Sequence, residues 1–304
     1  MKKNNIFLFI FGILSGVFFT LFVNVFQLKF ENFLFAQISQ TLSEVIVKEI
    51  PKIPPLQLNS KSVLSIRFNE KKKMKERIVY AKNEKEILPI ASLTKLMTAL
   101  IVIENPEHYP FNKVVKVSTL AASQENVPEY GNLRVGETVT IEELLRLTLV
   151  FSSNDAAFAL AEVIGVESFV QKMNEKAREI GMVNTYFSNP TGLDPDNLSW
   201  SLENKDNFNY STANDLFLLG KYIIEKYPFM FEFSSNNKNK IELRDDQFLI
   251  GMKTGYTSEA GGCLFLIFSN HQGDYFFNII LGSNDKEERF VEMQKLVNWL
   301  NGKY

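Results

Sequence analysis

The stretch Pro89-Ile-Ala-Ser-Leu-Thr-Lys-Leu-Met-Thr-Ala-Leu-Ile-Val-Ile-Glu104 decides how the rest of the chain is read. From Leu96 to Ile103 only Thr98 is polar, which is the pattern of a helix buried on most sides. Pro89 stands before it, and Glu104-Asn105-Pro106 closes it. Ser92 and Lys95 open it, one turn apart on one face. An ammonium in such a place is costly unless it is paired or neutralised. A lysine kept there despite that cost is a candidate functional group.

Working outward, Ser62–Phe68 and Arg77–Ala81 predict two strands around the charge run Glu70-Lys-Lys-Lys-Met-Lys-Glu-Arg77, a solvated hairpin loop. Thr140-Ile-Glu-Glu143 is a capping box that opens an apolar helix through about Val150. Phe151-Ser-Ser-Asn-Asp155 interrupts it, and helices follow over Ala156–Ile164 and Glu167–Ile180, ended by Gly165 and Gly181. Met182 to Asn197 is a long loop carrying Asn189-Pro-Thr-Gly192, and Asp215–Lys226 is helical again. Phe248–Met252, Cys263–Phe268 and Phe276–Leu281 predict strands, with Asn270–Asp274 as a hairpin turn. Glu287–Leu300 predicts a closing amphipathic helix whose Phe290, Met293, Leu296, Val297 and Leu300 pack on the sheet.

With 304 residues, 45% of them apolar and 22% charged, the chain can bury a core. A net charge of −2 with no basic face argues against nucleic acid as a partner. The lone Cys263 makes no internal disulfide and reads as a core residue. The two histidines, His108 and His271, sit in turn-like stretches that suit neither a Ser-His-Asp triad nor a zinc site. Ile6 to Leu28 carries no charge, and as a helix it would span roughly 34 Å, enough for a bilayer core. Lys2 and Lys3 precede it, which keeps residues 1–5 cytoplasmic and exports the rest. The length of the run favours an uncleaved single-pass anchor in the cytoplasmic membrane over a cleaved signal peptide and a secreted product. Residues 29–58 read as a stalk, with a short helix over Ile38–Ile50 and stiffening at Pro51, Pro54 and Pro55.

Ser-x-x-Lys alone is weak and occurs three times here. Ser235/Lys238 and Ser283/Lys286 lie in polar loops, where both side chains are simply solvated; only Ser92/Lys95 opens a buried helix. Ser152-Ser-Asn154 follows between two helices, and Lys253-Thr-Gly255 occurs once, at the end of a strand pattern. In this order and these contexts the three motifs resemble the signature of penicillin-binding proteins and serine β-lactamases. Pro89–Ala99 is similar to the nucleophile segment of D-alanyl-D-alanine carboxypeptidases. So are Ser153-Asn-Asp-Ala-Ala157, Met173-Asn-Glu-Lys-Ala177, Gly181-Met-Val-Asn-Thr185, Asn189-Pro-Thr-Gly-Leu-Asp194, Ser211-Thr-Ala-Asn-Asp215 and Gly251-Met-Lys-Thr-Gly-Tyr-Thr257. The resemblance runs from about residue 60 to 302.

That resemblance implies an α+β fold of the β-lactamase and penicillin-binding transpeptidase kind, with an antiparallel sheet flanked by helices and a helical subdomain, over 59–304. Two departures stand out. Many members carry a second, all-β domain and a C-terminal amphipathic membrane helix, neither of which is expected here, so the N-terminal span would supply the anchor. The longer, lysine-rich Asn69–Arg77 also replaces the family's usual first hairpin turn, which leaves the register of the first strand open.

The chemistry follows from the residue types. A serine hydroxyl needs a base to take its proton, and with no suitable histidine the candidate is Lys95. A free lysine has a pKa of about 10.4, so this needs a shift of roughly three units, about 4 kcal/mol. Burial, the second cation Lys253 and the helix N-terminus all push that way. The resemblance implies that Ser92 attacks the carbonyl between the terminal D-alanines of a peptidoglycan stem peptide and forms an acyl-enzyme. Ser152 would relay a proton to the leaving amine, and Asn154 would hold Lys95 and the substrate amide. The backbone N–H groups of Ser92 and Tyr256 would form the oxyanion hole. Substrate would lie as an added strand along 253–257, with Lys253, Thr254 and Gly255 against it and Lys253 and Thr254 toward its terminal carboxylate. Arg289 resembles the family's carboxylate-binding arginine, the alternative being a surface charge on the last helix. β-Lactams would inhibit by acylating Ser92, and no metal or cofactor is needed. The rivals are a D,D-endopeptidase, a β-lactamase on the same fold and, from another class, an inactive membrane-tethered wall-binding protein. The Glu-x-x-Leu-Asn stretch of class A β-lactamases is absent, and an inactive scaffold has no need of Ser92, Lys95 and Lys253.

Overall fold

Along Cys263–Phe268 every residue is buried, and successive side chains leave on opposite faces of the strand. A strand apolar on both faces needs cover on both, and that requirement organises the molecule. In the computed structural model, which describes residues 27, 29–37, 55–69, 74–124, 132–197, 208–233 and 240–304, this strand is the fourth of a five-stranded antiparallel sheet. The sheet order is β2-β1-β9-β8-β7, with β1 Ser62–Asn69, β2 Met74–Lys82, β7 Gln247–Thr257, β8 Gly261–Asn270 and β9 Tyr275–Ser283. Short strands β3 Leu88–Pro89 and β6 Tyr210–Ser211 pair with each other, as do β4 Val114–Lys116 and β5 Thr138–Thr140.

Cys263, Phe265 and Ile267 face the larger core together with Phe277, Ile279 and Leu281 of β9. That core is covered by α1 Thr94–Glu104, α2 Ile141–Arg146, α3 Asn154–Glu162, α4 Val166–Ile180 and α5 Ala213–Lys226. Leu264, Leu266 and Phe268 face the other way, onto α6 Glu288–Lys303. Phe290, Met293, Leu296, Val297 and Leu300 of α6 are all buried there, as the sequence pattern predicts. The result is an α+β fold with an antiparallel sheet between helical layers, α1 to α5 on one side and α6 on the other.

Several boundaries differ from those expected. β2 begins at Met74 rather than Arg77, and its pairing with β1 shifts register between Ser65 and Ile66 and between Arg67 and Asn69. Such bulges absorb the unusual first hairpin. The Thr140 cap forms, its Oγ1 accepting from the Glu143 N–H at 3.2 Å, but the helix it opens finishes as a π-turn over Leu147–Phe151. β7 runs through to Thr257, so Lys253-Thr-Gly255 sits inside a strand rather than at its end.

Residues 29–37 are helical and exposed, in a unit separate from Leu56–Tyr304. The stalk ends earlier than expected, since Leu58 is buried in the core under α6. The expected span 6–28, Gln27 apart, and the expected helix Ile38–Ile50 lie outside the described residues, as does Ser235/Lys238. Among the described residues, no helix is long and apolar enough to cross a membrane.

Candidate active site

The Pro89–Glu104 segment does not start as an α-helix. Ala91 has φ +47°, and Ala91–Leu93 form a 3-10 turn before α1 begins at Thr94. A non-glycine residue in that region is strained by about 1–3 kcal/mol and persists only where its surroundings hold it. Two glycines allow the surroundings to come that close. Gly192, at φ +85°, lies against the Ala91 carbonyl, and a Cβ on Gly255 of β7 would come within 3.0 Å of Ser92 N and Ile90 O. Ser92 is thus wedged between the 189–194 loop and β7.

Lys95 is fully buried, one turn into α1. Its Nζ lies 2.9 Å from Ser92 Oγ, 2.7 Å from Asn154 Oδ1 and 2.6 Å from the Thr191 carbonyl oxygen. The last two partners can only accept, so they take two N–H groups in either charge state of the nitrogen. In the neutral amine the lone pair is then left for the Ser92 hydroxyl.

The Ser152 side of the site is also strained. The π-turn ends in Ser152 at φ +62°, and Ser153 caps α3 by accepting from the Ala156 N–H at 3.2 Å. This places Ser152 at the cleft while Asn154, the first residue of α3, reaches Lys95. Lys253 Nζ donates to Ser152 Oγ at 2.7 Å and to the Thr254 carbonyl at 3.0 Å. Burial first, then the nearby Lys95 and Arg289 cations, push the Lys253 ammonium well below the usual lysine range.

A cleft of about 190 Å³ joins these groups, lined by Ser92, Ser152, Asn154, Thr254, Gly255 and Tyr256 with Gly192, Leu193, Thr257, Lys286 and Arg289. Arg289, on the first turn of α6, lines this cleft and donates through Nη1 to the Gly255 carbonyl. It is therefore more than a surface charge on the last helix. Every site residue singled out from the sequence is at one place. Lys286, Leu193 and the Thr191 carbonyl were not anticipated. Lys286 belongs to a Ser-x-x-Lys that looks solvated in sequence, and a backbone carbonyl has no residue type to betray it. Cys263 is core, its thiol pushed up to about 11 by burial.

The chain is similar to known proteins over most of its length. A family model described as D-alanyl-D-alanine carboxypeptidase, peptidase S11, matches residues 53–276. The chain is 31% identical over 250 residues to the D-alanyl-D-alanine carboxypeptidase DacF of Bacillus subtilis, covering 75% of this chain and 60% of that one. It is 30% identical over 243 residues to a D-alanyl-D-alanine endopeptidase of Pseudomonas aeruginosa, covering 74% and 73%. Among solved structures, penicillin-binding protein D2 from Listeria monocytogenes in its ampicillin-bound form superposes with a TM-score of 0.64 at 26% identity, over 81% of this chain and 99% of that one.

Proposed function

The chain belongs to the D-alanyl-D-alanine carboxypeptidase family, and we propose that it is a serine-type D,D-carboxypeptidase acting on peptidoglycan stem peptides. The observation that carries this is the pair of buried lysines, Lys95 on Ser92 Oγ and Lys253 on Ser152 Oγ, whose two hydroxyl partners line one cleft. It is an arrangement for moving protons at two hydroxyls without a histidine.

In this mechanism Ser92 Oγ attacks the carbonyl of the penultimate D-alanine while its proton passes to Lys95 Nζ. The backbone N–H groups of Ser92 and Tyr256 take the developing oxyanion. The C–N bond breaks, and the proton held by Lys95 passes to the leaving amine through Ser152 Oγ, which Lys253 keeps oriented by donating to it, so Lys95 returns to the neutral amine. Asn154 keeps Lys95 oriented through the 2.7 Å bond. Water then attacks the ester, Lys95 takes a proton from it, and Ser92 leaves as the hydroxyl. Lys253, Thr254 and Arg289 bind the substrate carboxylate, and the peptide lies along Lys253–Thr257. The same attack on a β-lactam ring leaves a long-lived ester. The ampicillin-bound relative of the same fold supports β-lactams as ligands. The uncharged run 6–28 supports a membrane-anchored enzyme with its catalytic part outside the cytoplasm.

A D,D-endopeptidase is the second reading. It is favoured by the Pseudomonas aeruginosa relative, of which the chain spans 73%, against 60% of the carboxypeptidase from Bacillus subtilis. The test uses the full chain in detergent with benzylpenicillin, intact mass recorded over time, beside Ser92→Ala. A penicilloyl adduct on Ser92, absent from the variant, together with D-alanine release from a pentapeptide, is the expected result. Cleavage only of cross-linked dimers would select the endopeptidase. Intact protein with intact penicillin would refute the acyl-enzyme.

A further inference from the structure

Lys95 needs more than a place on a helix: its nitrogen must present one direction to Ser92 and keep its hydrogens elsewhere. The Thr191 carbonyl takes one of those hydrogens at 2.6 Å. What aims that carbonyl is a pair of buried asparagines. Asn189 Oδ1 accepts from the Thr191 N–H at 3.0 Å, from Thr191 Oγ1 at 2.8 Å and from the Gly192 N–H at 2.7 Å, closing an Asx turn around the peptide that carries the carbonyl. Asn209 Oδ1 accepts from the Ser188 N–H at 2.7 Å and the Asn189 N–H at 3.1 Å. Asn209 Nδ2 donates to the Asn189 carbonyl at 2.8 Å and to Thr94 Oγ1 at 2.9 Å. Three successive carbonyls of this loop are thus fastened: Asn189 by Asn209, Pro190 by Thr98 Oγ1 at 2.7 Å, and Thr191 by Lys95. Thr94, Lys95 and Thr98 are the polar stripe of a helix that is otherwise apolar up to Glu104, and the loop is matched to that stripe. The Asn209 carbonyl also accepts from the Ile90 N–H at 3.2 Å, which ties the same pair to the turn before Ser92.

We propose that Asn189, supported by Asn209, is a positioning residue that fixes the Thr191 carbonyl on Lys95 Nζ and so sets the charge preference and direction of the Lys95 nitrogen. The inference rests on the acyl-enzyme reading given above. A carbonyl oxygen at 2.6 Å stabilises an ammonium more than an amine, and it opposes the repulsion between Lys95 and the nearby Lys253, which favours the amine. The other charged groups near α1 are engaged elsewhere. Asp155 of α3 accepts from the Leu133 N–H, and Asp194 of the loop accepts from the Glu259 N–H and Ser258. Lys286 lies at the cleft wall. Glu104, Lys176 and Tyr222 cluster at the far end of α1.

The test is the pH dependence of Ser92 acylation by benzylpenicillin, read by mass in the full chain. Asn189→Ala frees the carbonyl, so the ammonium loses support and the acid limb moves to lower pH by about one unit. Asn189→Asp keeps an acceptor for the three donors but adds a negative charge beside Thr191, so the limb moves to higher pH. Thr98→Val loosens the same loop at Pro190 without touching Thr191 or the asparagines, and its limb stays in place even as its melting temperature falls. Opposite shifts in the two Asn189 variants support the proposal. An unmoved limb in both, whatever the loss of rate, would overturn it, and if Asn189→Ala does not fold, the direction in Asn189→Asp decides alone. Wild type that is never acylated would instead sink the acyl-enzyme reading itself.

Discussion

Gly192→Ala is the sharpest perturbation of this site, because the substitution adds one methyl group and touches no catalytic side chain. Two costs arise. Gly192 has φ +85°, where an alanine is less stable by about 1 kcal/mol. Its Cβ would also stand 2.0 Å from Ala91 O and 3.0 Å from Ser92 N, backbone atoms that cannot swing aside. Opening that gap to van der Waals distance moves the Ala91–Ser92 turn by roughly 1 Å, at about 2–3 kcal/mol of overpacking. The melting temperature should fall by roughly 10 °C. A displacement of that size at the nucleophile should slow acylation about 100-fold. Gly181→Ala is the control, since Gly181 has φ +90° and an added Cβ would meet nothing within 4 Å, so only the conformational cost applies. It should lose about 3 °C and acylate at the wild-type rate. Both variants are scored by thermal unfolding and by the time course of the penicilloyl mass. Equal effects in the two, or normal acylation in Gly192→Ala, would refute the claim that close approach of this loop holds Ser92 in place.

Lys253 is pushed well below the usual lysine range by burial and by Lys95 and Arg289, so below pH 10.5 the unfolded chain binds the proton that the folded chain resists. Folding stability should therefore rise as pH climbs toward 10.5, and Lys253→Met should flatten that slope, raise the melting temperature at neutral pH and abolish acylation. Burial alone would raise the Glu292 carboxyl, but donation from Lys295, Ser60 and Asn59 outweighs it and holds it below 4.5. Its stabilisation is present above pH 4.5 and lost as pH falls through the lowered value, and Glu292→Ala should cost about 3 kcal/mol and remove this residue's share of the acid sensitivity in an unfolding titration. Arg289→Gln should raise KM for a peptide ending in free D-Ala-D-Ala about 10-fold with kcat nearly unchanged, and leave the C-terminal amide of that peptide unaffected. Equal losses on acid and amide would rule out a carboxylate contact.

The parts of this site that carry chemistry in their side chains were legible in the sequence. Ser92 and Lys95 contradict the greasy helix they open and stand out as a cost without a local return, while Lys253 was marked by a Lys-Thr-Gly run that occurs once in the chain. Thr140 and the glycines after α3 and α4 marked helix ends by ordinary capping chemistry. The apolar runs marked the central strands, because every residue of β8 from Cys263 to Phe268 faces one core or the other. What stayed hidden was made by tertiary approach. The π-turn that presents Ser152 needs a left-handed residue that no local signal demands. The Thr191 carbonyl belongs to the backbone, and Asn209 is far from Asn189 in sequence although it bonds to it. Lys286 reads as a loop lysine until α6 folds back over β8 and β9 and brings it to the cleft.

The site breaks several local rules at once, and the way it does so separates two kinds of residue. Ala91 and Ser152 have positive φ, and Lys95 and Lys253 are buried among apolar neighbours. Each is unfavourable by itself and persists because something nearby compensates it. For the strained turn the compensators are Gly192, Gly255, Asn209 and the hydrogen bonds of the 188–193 loop; for Lys95 they are Asn154 and Thr191. Removing a compensator leaves the cost in place, so stability and activity fall together. Lys253 is different, because its positive charge is opposed by Lys95 and Arg289 and no carboxylate lines the cleft beside it among the described residues. Removing it removes the cost itself, so stability and activity move in opposite directions. An anionic substrate end would supply the missing counter-charge, and on this account the cleft is built to be electrostatically complete only when occupied.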